Sequence, residues 1–393
     1  MSKTGIAWTN ETWNPVTGCT KVSAGCKNCY AETLHTQRYE HNQRVGQMLV
    51  GADEMVRHGI HDRGWPEITA AMGEPAGGWA AEARRRGMKG DRDGLGDLMP
   101  ECYDTPFETV VCHEDRLMRP LSWRKPRMVF VNSMSDLFHA DVPDSFLDQV
   151  FAVMRMTPHV IFQILTKRPE RMREYLDDPD RGDEVAQAAF EIWEQGDRNT
   201  IVVDGVRMEM DIAVENLEEW TSWPPENVHL GTSVENQEQA EKRVPELLAT
   251  PAAVRFLSCE PLLGPVNLRR VRDVEGFEVV DDWLAGSMWM DGQVGAPIPK
   301  IDWVIAGGES GKNARPANIA WFRSLRDQCA AVGVPFFMKQ IGSKPYDGYE
   351  SWSNPLEGPD EEPRWLRLRD RHGANPEEWP EDLRVREFPE VGR

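Results

Sequence analysis

One pattern recurs along this chain and limits what it can fold into: a short apolar run, rich in β-branched residues, ends in polar residues and leads into a segment with helical spacing. Three runs stand in the first two thirds: Met128-Val129-Phe130-Val131 before Asn132, Ser133 and Asp136, Val160-Ile161-Phe162-Gln163-Ile164-Leu165 before Thr166, Lys167 and Arg168, and Val228-His229-Leu230-Gly231-Thr232 before Ser233 and Glu235. Three more follow: Val254-Arg255-Phe256-Leu257-Ser258 before Cys259 and Glu260, Trp303-Val304-Ile305-Ala306 before Gly307, Gly308 and Glu309, and Val334-Pro335-Phe336-Phe337-Met338 before Lys339 and Gln340. Between them, Phe146, Leu147, Val150, Phe151 and Met154 keep the spacing of a buried helix face after Pro143, which suits a first helical position. Ile319, Phe322, Leu325, Cys329 and Val332 do the same between a capping Asn318 and a terminating Gly333. Strands alternating with helices imply a parallel sheet. With a short further strand near Ile6 to Trp13, the chain reads as α/β, a full or partial TIM-type barrel first and a doubly wound open sheet second. In a barrel, the polar residues at strand C-termini converge on one mouth.

Two stretches interrupt the rhythm. Residues from about 40 to 105 are rich in Gly and charge, with Arg84-Arg85-Arg86 and Lys89, and residues 177 to 226 are acidic, with a hairpin signal of Asp204-Gly205 between Thr200-Ile201-Val202-Val203 and Val206-Arg207-Met208. Both are expected to decorate the mouth. The barrel is taken to span 1–344, and 345–393, with Trp352, Trp365 and Trp379 but little periodicity, to form a cap or tail. No apolar run approaches the roughly 18 residues of a membrane span, and no leader-like start is present, so a cytoplasmic protein with no membrane partner is expected.

The strongest chemical signal is Cys19, Cys26 and Cys29, spaced C-x6-C-x2-C and followed by Tyr30. Few and unevenly spread cysteines argue against a disulfide framework. Thiolates suit zinc or iron–sulfur clusters. A closed zinc site needs a fourth ligand, for which His35 is spaced, whereas a 4Fe-4S cluster on three thiolates leaves one iron open. A net charge of −20 repels a phosphate backbone over most of the surface, so a nucleic-acid substrate needs a local basic groove. Arg116, Arg119, Arg124, Lys125 and Arg127 are the candidates, with the Arg84 to Lys89 stretch.

These motifs together, Thr9-Asn10-Glu11-Thr12-Trp13-Asn14-Pro15-Val16-Thr17-Gly18-Cys19, the cysteine triplet with Tyr30-Ala31-Glu32, Ser133-Met134-Ser135-Asp136-Leu137-Phe138, Leu165-Thr166-Lys167-Arg168-Pro169, Ser233-Val234-Glu235-Asn236, Ser258-Cys259-Glu260-Pro261 and Gly307-Gly308-Glu309-Ser310-Gly311, resemble a phage and bacterial three-cysteine family. That family is similar to radical S-adenosylmethionine (SAM) enzymes, the spore photoproduct lyase branch included. The resemblance implies a 4Fe-4S cluster on Cys19, Cys26 and Cys29, shielded by Tyr30, and SAM contacts among Ser133, Asp136, Ser233, Glu235, Gly307, Gly308 and Glu309. It also implies a 5′-deoxyadenosyl radical that rearranges or modifies a substrate, with Lys167, Cys259 and Glu260 as catalytic candidates. The substrate it suggests first is a thymine base, itself modified or not, in phage DNA, or a nucleotide, and the electron donor a flavodoxin or ferredoxin. The chain departs from the superfamily's usual C-x3-C-x2-C, and its Gly-Gly-Glu follows the sixth run rather than the second strand. Two other readings stand beside this one: a zinc-stabilised barrel hydrolase or transferase using Asp136, Glu235 and Glu260 as acid and base, and a non-catalytic nucleic-acid-binding protein.

Overall fold

The computed structural model describes residues 6–40, 105–195, 200–203, 206–209, 223–274, 277–290, 292–348 and 364–390. Seven strands form its main sheet: β1 (Glu11–Trp13), β2 (Arg127–Val131), β3 (Val160–Thr166), β4 (Val228–Ser233), β5 (Val254–Cys259), β6 (Trp303–Gly307) and β7 (Phe336–Gln340). They lie side by side in chain order, every neighbouring pair parallel. A doubly wound sheet reverses its order at a switch point. Unbroken order instead puts the crossovers on one face, and strand twist curls the sheet around the other. The result is a half-barrel, whose edge strands β1 and β7 do not pair with each other.

The crossovers carry α1 (Asp144–Arg155), α2 (Pro169–Leu176), α3 (Arg181–Gln195), α4 (Gln237–Ala249) and α5 (Ile319–Val332). Pro143 stands at the N-cap of α1, one position earlier than its spacing suggested. Asn318 caps α5 by accepting from the Ala320 amide (2.9 Å), and Gly333 ends it in the left-handed region at φ 73°. Between β5 and β6 the chain forms a four-stranded antiparallel sheet, Arg269–Val274, Phe277–Asp282, Ser287–Met290 and Gln293–Pro297. The hairpin foreseen in the second insertion is present as Thr200–Val203 paired with Val206–Glu209. Its neighbour α3 does not reach the mouth. It packs beside α1 through Val185, Ala188 and Ile192, and Arg181 binds Asp148 of α1 (3.0 Å), so this part of the insertion thickens the helical layer. The first insertion, with Arg84 to Lys89, lies outside the described residues.

Both faces of the curled sheet are apolar over most of their height, and each has its own core. On the convex face Val129, Val131, Phe162, Ile164, Leu230, Leu257, Val304, Phe336 and Met338 pack beneath helix residues such as Val150, Phe151, Leu247, Phe322 and Leu325. On the concave face Trp8, Phe256, Trp303, Ile305 and Phe337 form a second cluster with Phe130 and Leu165. Each large side chain so buried contributes about 1.5–3 kcal/mol. Trp8 meets Phe130 edge-on at 4.7 Å between ring centroids, so the lower concave space is filled with aromatic rings.

The C-terminal stretch is tied to the sheet's open edge. The Met338 amide donates to the Val385 carbonyl (2.9 Å) and the Glu387 amide to the Phe336 carbonyl (3.0 Å), an antiparallel pairing alongside β7. Phe388 stacks against Trp303 and Phe337. An exposed edge strand invites pairing with another chain, and this segment occupies it.

Candidate functional site

The strand C-termini gather polar residues at one rim, and the cysteine loop lies on it. Its base is fixed first: the Cys19 amide donates to the Phe107 carbonyl (2.8 Å), and Gly18 bridges Ser135. After β2, Asn132 adopts a left-handed conformation (φ 59°) that asparagine tolerates, and its Oδ1 accepts from the Val16 amide (3.2 Å). Ser133 donates to Asn14 (3.1 Å), so it braces the segment before the loop.

Three strand-end clamps then grip the six residues between Cys19 and Cys26 and the turn beyond. In the first, Asp136 accepts from Thr166 Oγ1 (2.7 Å), the Lys167 amide (2.9 Å) and Arg168 Nη1 (2.9 Å). Arg168 in turn donates through Nη2 to the carbonyl and hydroxyl of Thr20 (both 3.0 Å), and its Nη1 lies 3.6 Å from the Cys19 sulfur. In the second, the fully buried Glu235 accepts from Ser23 Oγ (2.8 Å) and Arg243 (2.9 Å) and pairs with Lys167 Nζ (3.4 Å). Gly25 lies so close that a Cβ there would collide with the Glu235 carboxyl. In the third, Glu309 accepts from Arg315 on both oxygens (2.9 and 2.7 Å) and from Asn28 (3.0 Å), while Arg315 Nη1 donates to the Ala24 carbonyl (2.8 Å). Charge-assisted bonds of this kind contribute about 1.5–3 kcal/mol each where they are shielded from water. The long C-x6-C interval thus has a structural use, since Thr20, Ser23 and Ala24 within it are the residues clamped.

The electrostatics follow from these contacts. Burial and the Asp136 carboxylate push the Cys19 thiol up to about 11, against the opposing pull of Arg168. Burial disfavours ionisation of Glu309, yet the bonds from Arg315 and Asn28 hold its carboxyl below the ordinary value. Glu235 and Glu309 therefore anchor the loop with carboxylates already engaged by the chain's own donors. Gly307 and Gly308 serve packing: the Glu260 carboxyl lies against Gly307, where a Cβ would meet it at 3.1 Å, and the Ile341 carbonyl leaves no room for one on Gly308. Glu260 reaches across β6 to Lys339 Nζ (2.6 Å) and makes none of the three clamps. Ser233 and its register partner Ser258 are buried on the concave side, in the row of Ile305 and Phe337.

Several expected roles change. Cys259 has the strand parity of Leu257, so it lies in the convex core, fully buried, with its thiol raised by burial; it does not enter the mouth. Tyr30 is 73% exposed and does not cover the cysteines; Phe107 and Met134 do, packing with Cys19 and Cys29. His35 gives its Nε2 to the Thr105 carbonyl (2.8 Å) and stacks edge-on against Phe107. The basic cluster lies at the opposite end of the sheet, where β2 begins. There Arg119 and Arg127 are bound to the buried Glu11 (2.7 and 2.6 Å), and Arg127 stacks over Trp123. A groove of about 820 Å³ between α5 and the antiparallel sheet, lined by Arg269, Arg323 and Asp347 among others, is also on the convex side.

Among the described residues no three His, Cys, Asp or Glu side chains converge tightly enough to enclose a single metal ion. The donor set is nonetheless specific. Cys19, Cys26 and Cys29 are unbridged and half-buried, Cys19 and Cys29 share one apolar cluster, and Cys26 acts electrostatically on Cys19. Three such thiols are ligands of the kind that zinc and iron–sulfur groups take. No helix among the described residues is long and apolar enough to cross a membrane.

The family described as "Protein of unknown function (DUF5131)" matches residues 3–68 and 79–369, and the chain belongs to it. No curated protein and no solved structure matches the chain.

Proposed function

We propose that this protein is a radical SAM enzyme that rearranges or modifies a nucleobase, with a thymine of phage DNA, itself modified or not, as the leading substrate. The observation that carries the reading is the seating of a three-cysteine loop on the strand C-termini of a parallel half-barrel, gripped from three separate strand ends. A 4Fe-4S cluster on Cys19, Cys26 and Cys29 with SAM supplies, when bound, one-electron cleavage of the sulfonium and a 5′-deoxyadenosyl radical able to abstract hydrogen. A flavodoxin or ferredoxin is the proposed electron donor.

The remaining work falls to the chain itself. Asp136, Glu235 and Glu309 hold the loop in place over the concave face, and pre-organisation of this kind matters because a reacting atom displaced by an ångström loses much of its rate. The aromatic filling of the lower concave space closes that end to water. Between filling and loop, Ser233, Ser258, Glu260 and Lys339 offer hydroxyl, carboxylate and ammonium groups for the polar edge of a base. A base within a duplex must be flipped out to reach them. Lys167, paired with Glu235, sits at the same rim and is placed to position either loop or substrate.

The test is anaerobic purification followed by reconstitution with iron and sulfide. Brown protein with broad visible absorbance and iron and sulfide in cluster proportion supports the reading. Colourless protein carrying stoichiometric zinc overturns it in favour of a zinc-stabilised loop.

A further inference from the structure

We propose that Arg168 tunes the electron affinity of the metal group bound through Cys19, with Asp136 as its electrostatic counterweight. The inference rests on the iron–sulfur reading above and adds to it a role for one charged pair.

The geometry singles out one sulfur of three. Arg168 Nη1 approaches the Cys19 sulfur at 3.6 Å, whereas Cys26 meets the Ser23 hydroxyl at 3.9 Å and Cys29 interacts electrostatically with the exposed Lys21. Arg168 is not free to drift. Its guanidinium is held on one side by Asp136 and on the other by Thr20, and Asp136 is fixed by Thr166, the Lys167 amide and the Phe138 amide (3.1 Å). Both side chains are largely covered, 15% and 8% exposed, so solvent screens the pair poorly. The planar fork makes this possible, because a lysine ammonium could not serve a carboxylate, a carbonyl and a sulfur at fixed angles.

A hydrogen bond and positive charge at a ligating sulfur withdraw electron density from it and favour the more negative, reduced state of an iron–sulfur group. The Asp136 carboxylate, bound to the same Nη1 that approaches the sulfur, acts with the opposite sign. The two are therefore expected to pull the potential in opposite directions, since both act on the Cys19 sulfur directly. Loss of Arg168 removes the bond and also uncovers the carboxylate.

The experiment is an EPR-monitored reductive titration of the full-length, iron- and sulfide-reconstituted protein without SAM, comparing wild type with Arg168→Met, Arg168→Lys and Asp136→Asn. Arg168→Met should titrate at a more negative potential than wild type, Asp136→Asn at a more positive one, and Arg168→Lys between wild type and Arg168→Met. Opposite signs are the signature, since mere loosening of the loop would move both single variants the same way. If Arg168→Met fails to hold iron, the comparison of Arg168→Lys with Asp136→Asn carries the same sign test. Potentials that do not move, or that move together, overturn the inference while leaving the cluster in place. A wild-type protein that binds no iron and sulfide overturns the underlying reading instead.

Discussion

The two ends of the half-barrel use buried carboxylates for different ends. At the lower end Glu11 takes Arg119 and Arg127, both from the segment entering β2, and the triad fastens β1 to its own neighbour. At the upper end Asp136, Glu235 and Glu309 take cations too, but each clamp also reaches a donor or carbonyl of the cysteine loop, far away in sequence. The lower arrangement stabilises a sheet. The upper one spends its charges on holding one loop in a defined place, which is what a site requires and a fold alone does not.

The sharpest way to break this contrast is to remove the loop's thiols. Cys19→Ala, Cys26→Ala and Cys29→Ala should each abolish iron incorporation, whereas Cys112→Ala, Cys329→Ala and His35→Ala should keep it, measured as iron per chain after reconstitution. Iron lost as completely from His35→Ala would point to a four-ligand site and against the open three-thiolate one.

Next comes the clamp itself. Glu235 and Arg243 are both buried, so Glu235→Ala leaves an uncompensated charge and should cost about 3–5 kcal/mol in denaturant unfolding. The same variant should speed alkylation of Cys26 in the metal-free protein. Glu11→Ala should also destabilise, by less because Arg119 is half-exposed, and should leave Cys26 reactivity unchanged. Equal effects on the thiol from both variants would erase the distinction between the two ends.

A third effect lies between the ends, on the concave wall. His229 is buried with neither ring nitrogen hydrogen-bonded among the described residues, and burial holds it down from 6.5 to about 4. Because the folded value is depressed, the unfolded chain takes up the proton first as pH falls. The contribution is whole above pH 6.5 and is lost progressively toward pH 4, to about 3 kcal/mol at most. In His229→Gln, the loss of stability between pH 7 and pH 4.5 should be smaller than in wild type, read from urea midpoints; a loss of the same size would remove His229 from the account.

The smallest expected effect is at the lower rim. Neutralising the exposed Arg124 and Lys125 together should leave turnover on duplex DNA within about twofold, because they sit where β2 begins, away from the mouth. A large loss on duplex but not on free nucleotide would restore this cluster as a DNA contact.

The contrast also explains what could be read from the sequence. The parallel strands were visible because both of their faces are packed, which writes continuous apolar runs such as Val160 to Leu165. The order of the strands was not, since pairing is a tertiary property; the preference for a full or partial barrel over a doubly wound sheet is met as a half-barrel. Cys259 was readable in principle: alternation puts it with Leu257 and opposite Ser258. The antiparallel sheet between β5 and β6 also left a signal, with Asp291-Gly292 between Met288-Trp289-Met290 and Gln293-Val294. Arg315 and Arg243 gave none, because nothing local marks a cation whose partner is a strand end and a distant loop. The C-terminal stretch lacked periodicity because backbone bonds to β7 and the edges of aromatic rings hold it, and neither demands a repeating pattern. The end of the sheet at which the basic cluster lies was legible, because it precedes β2, but the engagement of Arg119 and Arg127 by Glu11 was not, since nothing local marks that pairing.

The central claim is that the clamped loop is the seat of SAM chemistry. The most direct measurement is the formation of 5′-deoxyadenosine when the reconstituted, chemically reduced protein is incubated with SAM. The account predicts 5′-deoxyadenosine from wild type and none from Cys26→Ala. Iron- and sulfide-loaded, fully reduced wild type that leaves SAM intact, with and without duplex DNA, would contradict it.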